Sequence, residues 1–198
     1  MRKLYSGIIA GALLAVTACQ SENKTNTQQD QPTEQATAQP QTELQFPNPQ
    51  QAPQTTQGAA TFIPTFKFYK VKSGMGFTNE DIAKNRNTAF ILFDPNCSHC
   101  RDEAAHLAKH YDRLQDVNLY FVSMNDPALM ATFLETFAKE LAGKPNVEVL
   151  YDRNQEFIQR FHLPKQFPAN YVYGTDGKLK SNWEGDKDID FILTELTK

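Results

Sequence analysis

Cysteine is scarce in this 198-residue chain, which has three: Cys19, Cys97 and Cys100. A scaffold stapled by disulfides needs more cysteines, spaced further apart, so that class is excluded. An excess of one charge is also lacking. The 20 Lys and Arg nearly balance the 23 Asp and Glu, for a formal net charge of −3. That balance carries neither the basic footprint of a nucleic-acid binder nor the signature of acidic disorder. Residues 4–16 are mostly apolar but too short for a membrane-spanning helix. No internal repeat is visible. What is left is enough chain for one domain with flanking segments.

The first 18 residues read as an export signal, with Arg2 and Lys3 ahead of the apolar stretch. Val16-Thr17-Ala18-Cys19 resembles the lipobox of bacterial lipoproteins. That resemblance implies cleavage before Cys19 and acylation of its thiol and amine, and several acyl chains give stable attachment. Gln20 rather than Asp follows, which by resemblance to enterobacterial sorting favours the outer membrane. Residues 19–60 are rich in Gln, Thr, Pro and Asn and almost devoid of large apolar side chains. Such a segment cannot bury enough surface to offset its ordering entropy and is expected to be disordered. It would act as a tether with an r.m.s. span of about 35 Å. The folded domain is expected over 61–198.

Within that domain the pattern alternates strands with helices. Strands are expected at 62–71, 88–93, 117–124 and 147–151, with a hairpin of 171–173 and 178–183 around Thr175-Asp176-Gly177. Ser73-Gly74-Met75-Gly76 reads as a turn, and Thr78 as the N-cap of a short helix to residue 84. Further helices are expected at 97–113, from Asp126-Pro127 to about 142, at 154–161 and at the C-terminus. In the second of these, Leu129, Met130, Phe133, Phe137 and Leu141 are expected on one face, with Gly143 and Pro145 as the stop. The order implies an α/β fold with a central mixed sheet flanked by helices.

The chemistry gathers at Cys97-Ser98-His99-Cys100, between an apolar strand and an amphipathic helix. A thiol at a helix N-terminus feels the positive end of the helix dipole, which favours its thiolate. A second thiol one turn on can attack any mixed disulfide the first one makes. Cys100, Ala104, Leu107, Ala108, Tyr111 and Leu114 form one stripe, so Cys100 should lie half-buried against the sheet and Cys97 should be exposed. Cys97 is therefore the expected nucleophile and Cys100 the resolving thiol, and the two are the only pair the folded part can join as a disulfide. His99, as an imidazolium, would stabilise the thiolate and make the couple more oxidising; Glu103, one turn past Cys100, can relay its proton. Cys97, Cys100, His106 and His110 have zinc-like spacing on paper. On a helix His106 lies about 240° round and 9 Å along from Cys100, so no metal is expected. His162 stands alone and is expected to pack rather than ligate.

The stretch Phe90-Ile91-Leu92-Phe93-Asp94-Pro95-Asn96-Cys97-Ser98-His99-Cys100-Arg101-Asp102-Glu103 resembles the thioredoxin superfamily. It is most similar to the membrane-tethered TlpA/ResA-type thiol–disulfide oxidoreductases of bacterial envelopes. Phe167-Pro168-Ala169-Asn170-Tyr171-Val172-Tyr173-Gly174-Thr175-Asp176-Gly177-Lys178 resembles that family's Pro-strand-turn segment. The resemblance implies a thioredoxin-like fold with a TlpA-type central strand–helix insertion. It implies that Pro168 is a cis-proline which, with Phe167, docks substrate chain. It further implies reduction of substrate disulfides without a bound cofactor, electrons arriving from an upstream redox donor protein. The implied clients are disulfide-bearing envelope proteins such as apocytochrome c, met in the periplasm or extracytoplasmic space; nucleic acid is not a partner. The chain departs from the family at Asn96 (usually Trp), at Ile91 (Asp in thioredoxin), at Phe167 (usually smaller) and in lacking a kinking proline in the first helix. Three alternatives compete. A thiol peroxidase needs Thr and Pro ahead of its reactive Cys, and Pro95 is present without the Thr. A non-enzymatic copper-handling lipoprotein needs a further convergent ligand, and none is evident. An oxidase or isomerase direction is the third possibility.

Overall fold

The computed structural model describes residues 58–198. The expected leader, the acylation site Cys19 and the tether up to residue 57 lie outside the described residues. Within them, seven strands run β1 (Lys67–Lys70), β2 (Gly76–Thr78), β3 (Asn87–Leu92), β4 (Val117–Ser123), β5 (Val147–Tyr151), β6 (Ala169–Tyr173) and β7 (Leu179–Glu184). The helices are α1 (Ser98–Lys109), α2 (Pro127–Met130), α3 (Phe133–Phe137), α4 (Glu156–Arg160) and α5 (Ile189–Thr197). The strands form one mixed sheet in the order β2-β1-β5-β4-β3-β6-β7. β3, β4 and β5 are parallel; the other pairings are antiparallel. The segment between β4 and β6 supplies α2, α3 and α4, and inserts β5 between β1 and β4. Among the described residues no helix is long and apolar enough to cross a membrane.

The central strands read as continuous apolar runs because both faces of the sheet are covered. Successive side chains alternate between faces. Ala89 and Ile91 of β3 join Phe121, Leu107, Phe133 and Leu193 under α1, α3 and α5. Phe90 and Leu92 join Phe66, Phe68, Phe157, Phe161, Tyr171 and Tyr173 on the other side, under α4. The second core is mostly aromatic. Phe90 sits at its middle, with ring centroids of Phe66, Tyr120, Phe161 and Tyr173 at 5.5, 5.6, 5.0 and 6.0 Å.

Five local expectations change. The strand expected over 62–71 is confined to β1, because Pro64 has no N–H for a ladder; Phe62 makes only an isolated bridge to Lys178. Residues 76–78, read as turn and cap, form the short edge strand β2 against β1. The helix expected after Thr78 shrinks to a single 3-10 turn, Asn79–Asp81, closed by a reciprocal capping box between Thr78 and Asp81. The long helix expected after Asp126-Pro127 breaks into α2 and α3 and then unwinds. The chain leaves the helical region at Thr132 (φ −106, ψ 6) and again at Ala138 (φ −148, ψ 52), so Leu129, Phe133, Phe137 and Leu141 do not share one helix face. Phe133 packs on Phe93 at 4.5 Å between centroids, while Leu129 is 52% exposed. Helix one also ends earlier than expected, at Lys109, with residues 111–113 forming a 3-10 turn.

Phe90→Ala should cost about 3–5 kcal/mol of stability, as deletion of a fully buried ring does. Met75→Ala, on an exposed side chain, should stay within about 0.5 kcal/mol. Urea unfolding of both variants measures the contrast; a Phe90 cost no larger than that of Met75 would contradict the aromatic core described here.

Candidate active site

The site begins where β3 ends. The Asp94 carboxylate accepts from the Asn96 N–H at 2.8 Å, and the Asp94 carbonyl accepts from the Cys97 N–H at 3.0 Å. This Asx-type turn reverses the chain and delivers Cys97 to the N-cap of α1. Cys97 is half-buried, in extended conformation (φ −77, ψ 125), and its side chain makes no capping bond. Its sulfur therefore stands at the positive end of a 12-residue helix. Arg101 fastens the turn from behind. Its Nε–H donates to the Pro95 carbonyl at 3.1 Å while the guanidinium lies over the Phe137 ring, 4.9 Å from the centroid.

Cys100 faces inward with Ala104, Leu107, Ala108 and Leu114, all buried, while Tyr111 is half-buried. Both thiols are free in this structure. Burial pushes the Cys100 thiol far up from its ordinary proton affinity. A hydrogen bond from the Asp94 N–H opposes that, and the neighbouring Cys97 and Glu103 add to it. Cys100 also shares a hydrogen bond with the Cys97 side chain. The two sulfurs thus sit side by side, one at the surface and one in the core.

Glu103 lies one turn deeper and is only 2% exposed. Burial raises its carboxyl from an ordinary 4.5 to about 7; a hydrogen bond from Asn170 opposes the rise and the charge of Asp186 assists it. Asn170 donates from Nδ2 to Oε1 at 3.0 Å and to Oε2 at 3.2 Å. Sequence reasoning gave Asn170 and Asp186 no role. The signal for Asn170 was a strand-disfavoured amide amid the apolar run of β6, at a position that must be buried. Asp186 offered no such signal.

Phe167-Pro168 is a cis peptide bond. The register of β3 on β6 pairs Leu92 with Ala169, so Pro168 stands level with the chain that leaves β3 for the dithiol. Pro168 is buried, its carbonyl accepting from the Gly185 N–H at 2.8 Å, while Phe167 is 36% exposed. Gly185 has φ +69, a conformation that other residues adopt only with strain, so glycine suits the turn by which β7 closes on this loop. His99 is exposed on the first turn of α1. His106 is exposed and His110 half-buried, away from the thiols, and no group of three or more potential metal ligands gathers among the described residues. His162 packs at the other core, its Nδ1 2.9 Å from the Tyr171 hydroxyl and 3.5 Å from Glu184.

Comparison with known proteins places this geometry. The chain matches the AhpC/TSA family over residues 60–182. No curated protein matches it. Among solved structures it is similar to a secreted Mycobacterium tuberculosis disulfide oxidoreductase homologous to E. coli DsbE. That likeness has 19% identity and a TM-score of 0.55, and covers 66% of this chain and 93% of that one. StoA from Bacillus subtilis is similar at 15% identity, TM-score 0.51, over 70% of this chain and 98% of that one. Arabidopsis thaliana ScoI with copper bound is similar at 14% identity, TM-score 0.51, over 69% and 98%. At these identities the shared feature is the fold, a mixed sheet flanked by helices. The chain is thioredoxin-like in fold and belongs to the AhpC/TSA family.

Proposed function

We propose that the protein is an extracytoplasmic thiol–disulfide oxidoreductase that reduces disulfides in envelope proteins, held at a membrane by acyl chains on Cys19. The observation that carries this reading is the division of labour at the helix start. Cys97 is within reach of solvent at the N-cap, Cys100 is buried directly behind it, and the buried carboxyl of Glu103 follows one turn on.

Cys97, as thiolate, attacks one sulfur of a substrate disulfide. The substrate S–S bond breaks, a Cys97–substrate bond forms, and the other substrate sulfur leaves as a thiolate that takes a proton from water. Cys100 then gives its proton to Glu103 and attacks Cys97. The mixed disulfide breaks, the Cys97–Cys100 disulfide forms, and two electrons have passed to the substrate. An upstream redox donor protein returns the pair to dithiol, and no bound cofactor is required. Phe167 and Pro168 border the approach to Cys97 and hold the substrate strand. The high proton affinity of Cys100 supports the reducing direction. Strongly oxidising pairs owe their potential to stabilisation of the reduced form, and burial withholds that help from the Cys100 thiolate. His99 pulls the other way, but it is exposed, where solvent and salt weaken its field. The apolar leader, the lipobox-like Cys19 and the secreted mycobacterial structure of similar fold support the envelope location. Apocytochrome c is the substrate class to test first.

In the chain carrying Cys100→Ser, a disulfide-bonded peptide should be trapped covalently on Cys97, and Cys97→Ser should abolish trapping. Equilibration with glutathione should give a potential nearer the thioredoxin value of about −270 mV than the roughly −120 mV of a strong oxidant. An oxidising value would reverse the direction. Failure to trap, together with rapid turnover of peroxide, would replace the reading altogether.

The raised carboxyl of Glu103 makes a second prediction. Between pH 4.5 and about 7 the folded state holds a proton there that the unfolded chain has released, so stability falls as pH rises through this window. The loss is on the order of 2–4 kcal/mol from pH 4 to pH 8. Glu103→Gln should remove that part of the slope in urea unfolding of the reduced protein; an unchanged slope would show that Glu103 titrates as an ordinary surface carboxyl.

A further inference from the structure

Glu103 and Asn170 are 67 residues apart in sequence and meet where neither touches water. Asn170 reaches Glu103 from β6, opposite Ile91 of β3 and Trp183 of β7. Of the titratable groups, Asp186 in the loop after β7 acts on Glu103, and Glu103 in turn acts on Cys100 of its own helix. Among the described residues no cation pairs with it. Its charge state is therefore answered by one amide.

That amide is incompletely used. With its Nδ2 spanning both carboxylate oxygens, the Asn170 Oδ1 is buried and has no donor among the described residues. A buried acceptor left unpaired costs about 1–3 kcal/mol of desolvation, so such atoms call for an explanation. A carboxamide carries both a donor and an acceptor. When Glu103 holds a proton, its O–H can donate to Oδ1 while Nδ2 donates to the other carboxyl oxygen. The pair then closes into a cyclic acid–amide contact with Oδ1 satisfied. A rotation of the amide alone converts one arrangement to the other, with no movement of β6. Threonine, with a single hydroxyl, can donate or accept one bond at a time but cannot span both oxygens, and leucine can do neither.

We propose that Asn170 is the positioning residue that lets Glu103 accept and return the proton of Cys100, its amide turning over as the carboxyl changes charge. The proposal rests on the exchange reaction assigned to Cys97 and Cys100. In the resolving step the Cys100 S–H bond breaks and the proton forms an O–H bond on Glu103. The electron pair left on Cys100 attacks the Cys97 sulfur, and the substrate sulfur departs as a thiolate. One negative charge moves from the carboxylate to the leaving thiolate, and the total is conserved. Asn170 touches no sulfur and acts only through the carboxyl.

The test follows the Glu103 carboxyl itself, by carbon-13 NMR titration of the reduced full chain, in wild type, Asn170→Leu and Asn170→Thr. Threonine, a good strand former, guards against a leucine variant that fails to fold. Removing the donor that spans both oxygens should raise the Glu103 midpoint by at least one pH unit in the leucine variant and by less in the threonine variant. Release of peptide thiol from a preformed Cys97 mixed disulfide should slow about tenfold at neutral pH for each unit of that rise, and recover at higher pH. In a Glu103→Gln background, Asn170→Leu should leave the pH profile unchanged. An unmoved Glu103 midpoint, or equal slowing at every pH and in both backgrounds, would overturn the proposal and leave Asn170 as packing. The titration needs no turnover. A midpoint that moves in a chain whose dithiol proves inert would refute the exchange reading while leaving Asn170's hold on the carboxyl in place.

Discussion

The packing of α1 against the sheet is the constraint on which the site depends. Cys100, Ala104, Leu107 and Ala108 are pressed into the core together, and that contact fixes the rotation of the helix about its axis. A helix turned so that Cys100 is buried must leave its N-cap at the rim, because the chain arrives there from the end of β3 through the Asp94 turn. Accessibility of one sulfur and seclusion of the other are thus a single geometric fact. The small side chains of Ala104 and Ala108 allow the close approach. The same rotation carries Glu103 inward, where a carboxylate would be costly without Asn170 to receive it.

The electrostatics of the site follow from depth. Cys97 sits where the helix dipole and solvent both act on it. Cys100 sits where burial favours its neutral form. Glu103 sits deepest, and its proton affinity is raised into the neutral range by the same burial, tempered by an amide. Burial makes both the thiol and the carboxyl reluctant to ionise, and the carboxyl, whose proton affinity stays the lower of the two, is the group placed to receive a proton from the sulfur. The arrangement therefore suits a reaction in which the inner sulfur becomes nucleophilic only after the outer one has been engaged.

Much of this was legible in the sequence, and the reason is locality. The dithiol spacing, the stripe on α1, the Thr175-Asp176-Gly177 turn and the apolar runs of β3 and β4 are each written within a dozen residues. Six of the seven strands of the mixed sheet, and the helices that flank it, follow from their order. What escaped was set by tertiary contact. The split between α2 and α3 depends on Phe133 finding Phe93 and Phe121, which no periodicity reveals. The edge strand β2 exists because β1 is there to pair with it. Glu103 was readable as a residue one turn below Cys100, but its partner came from β6, 67 residues further along the chain. An amide in β6 is only an oddity until the fold brings it to a carboxyl.

The contact of Arg101 with both the Pro95 carbonyl and the Phe137 ring ties the reactive turn to the insertion that follows β4. The sheet does not bear this strut; a short helix outside the strand framework does. A change in this short helix can therefore alter where the outer sulfur points while the sheet beneath it is left untouched.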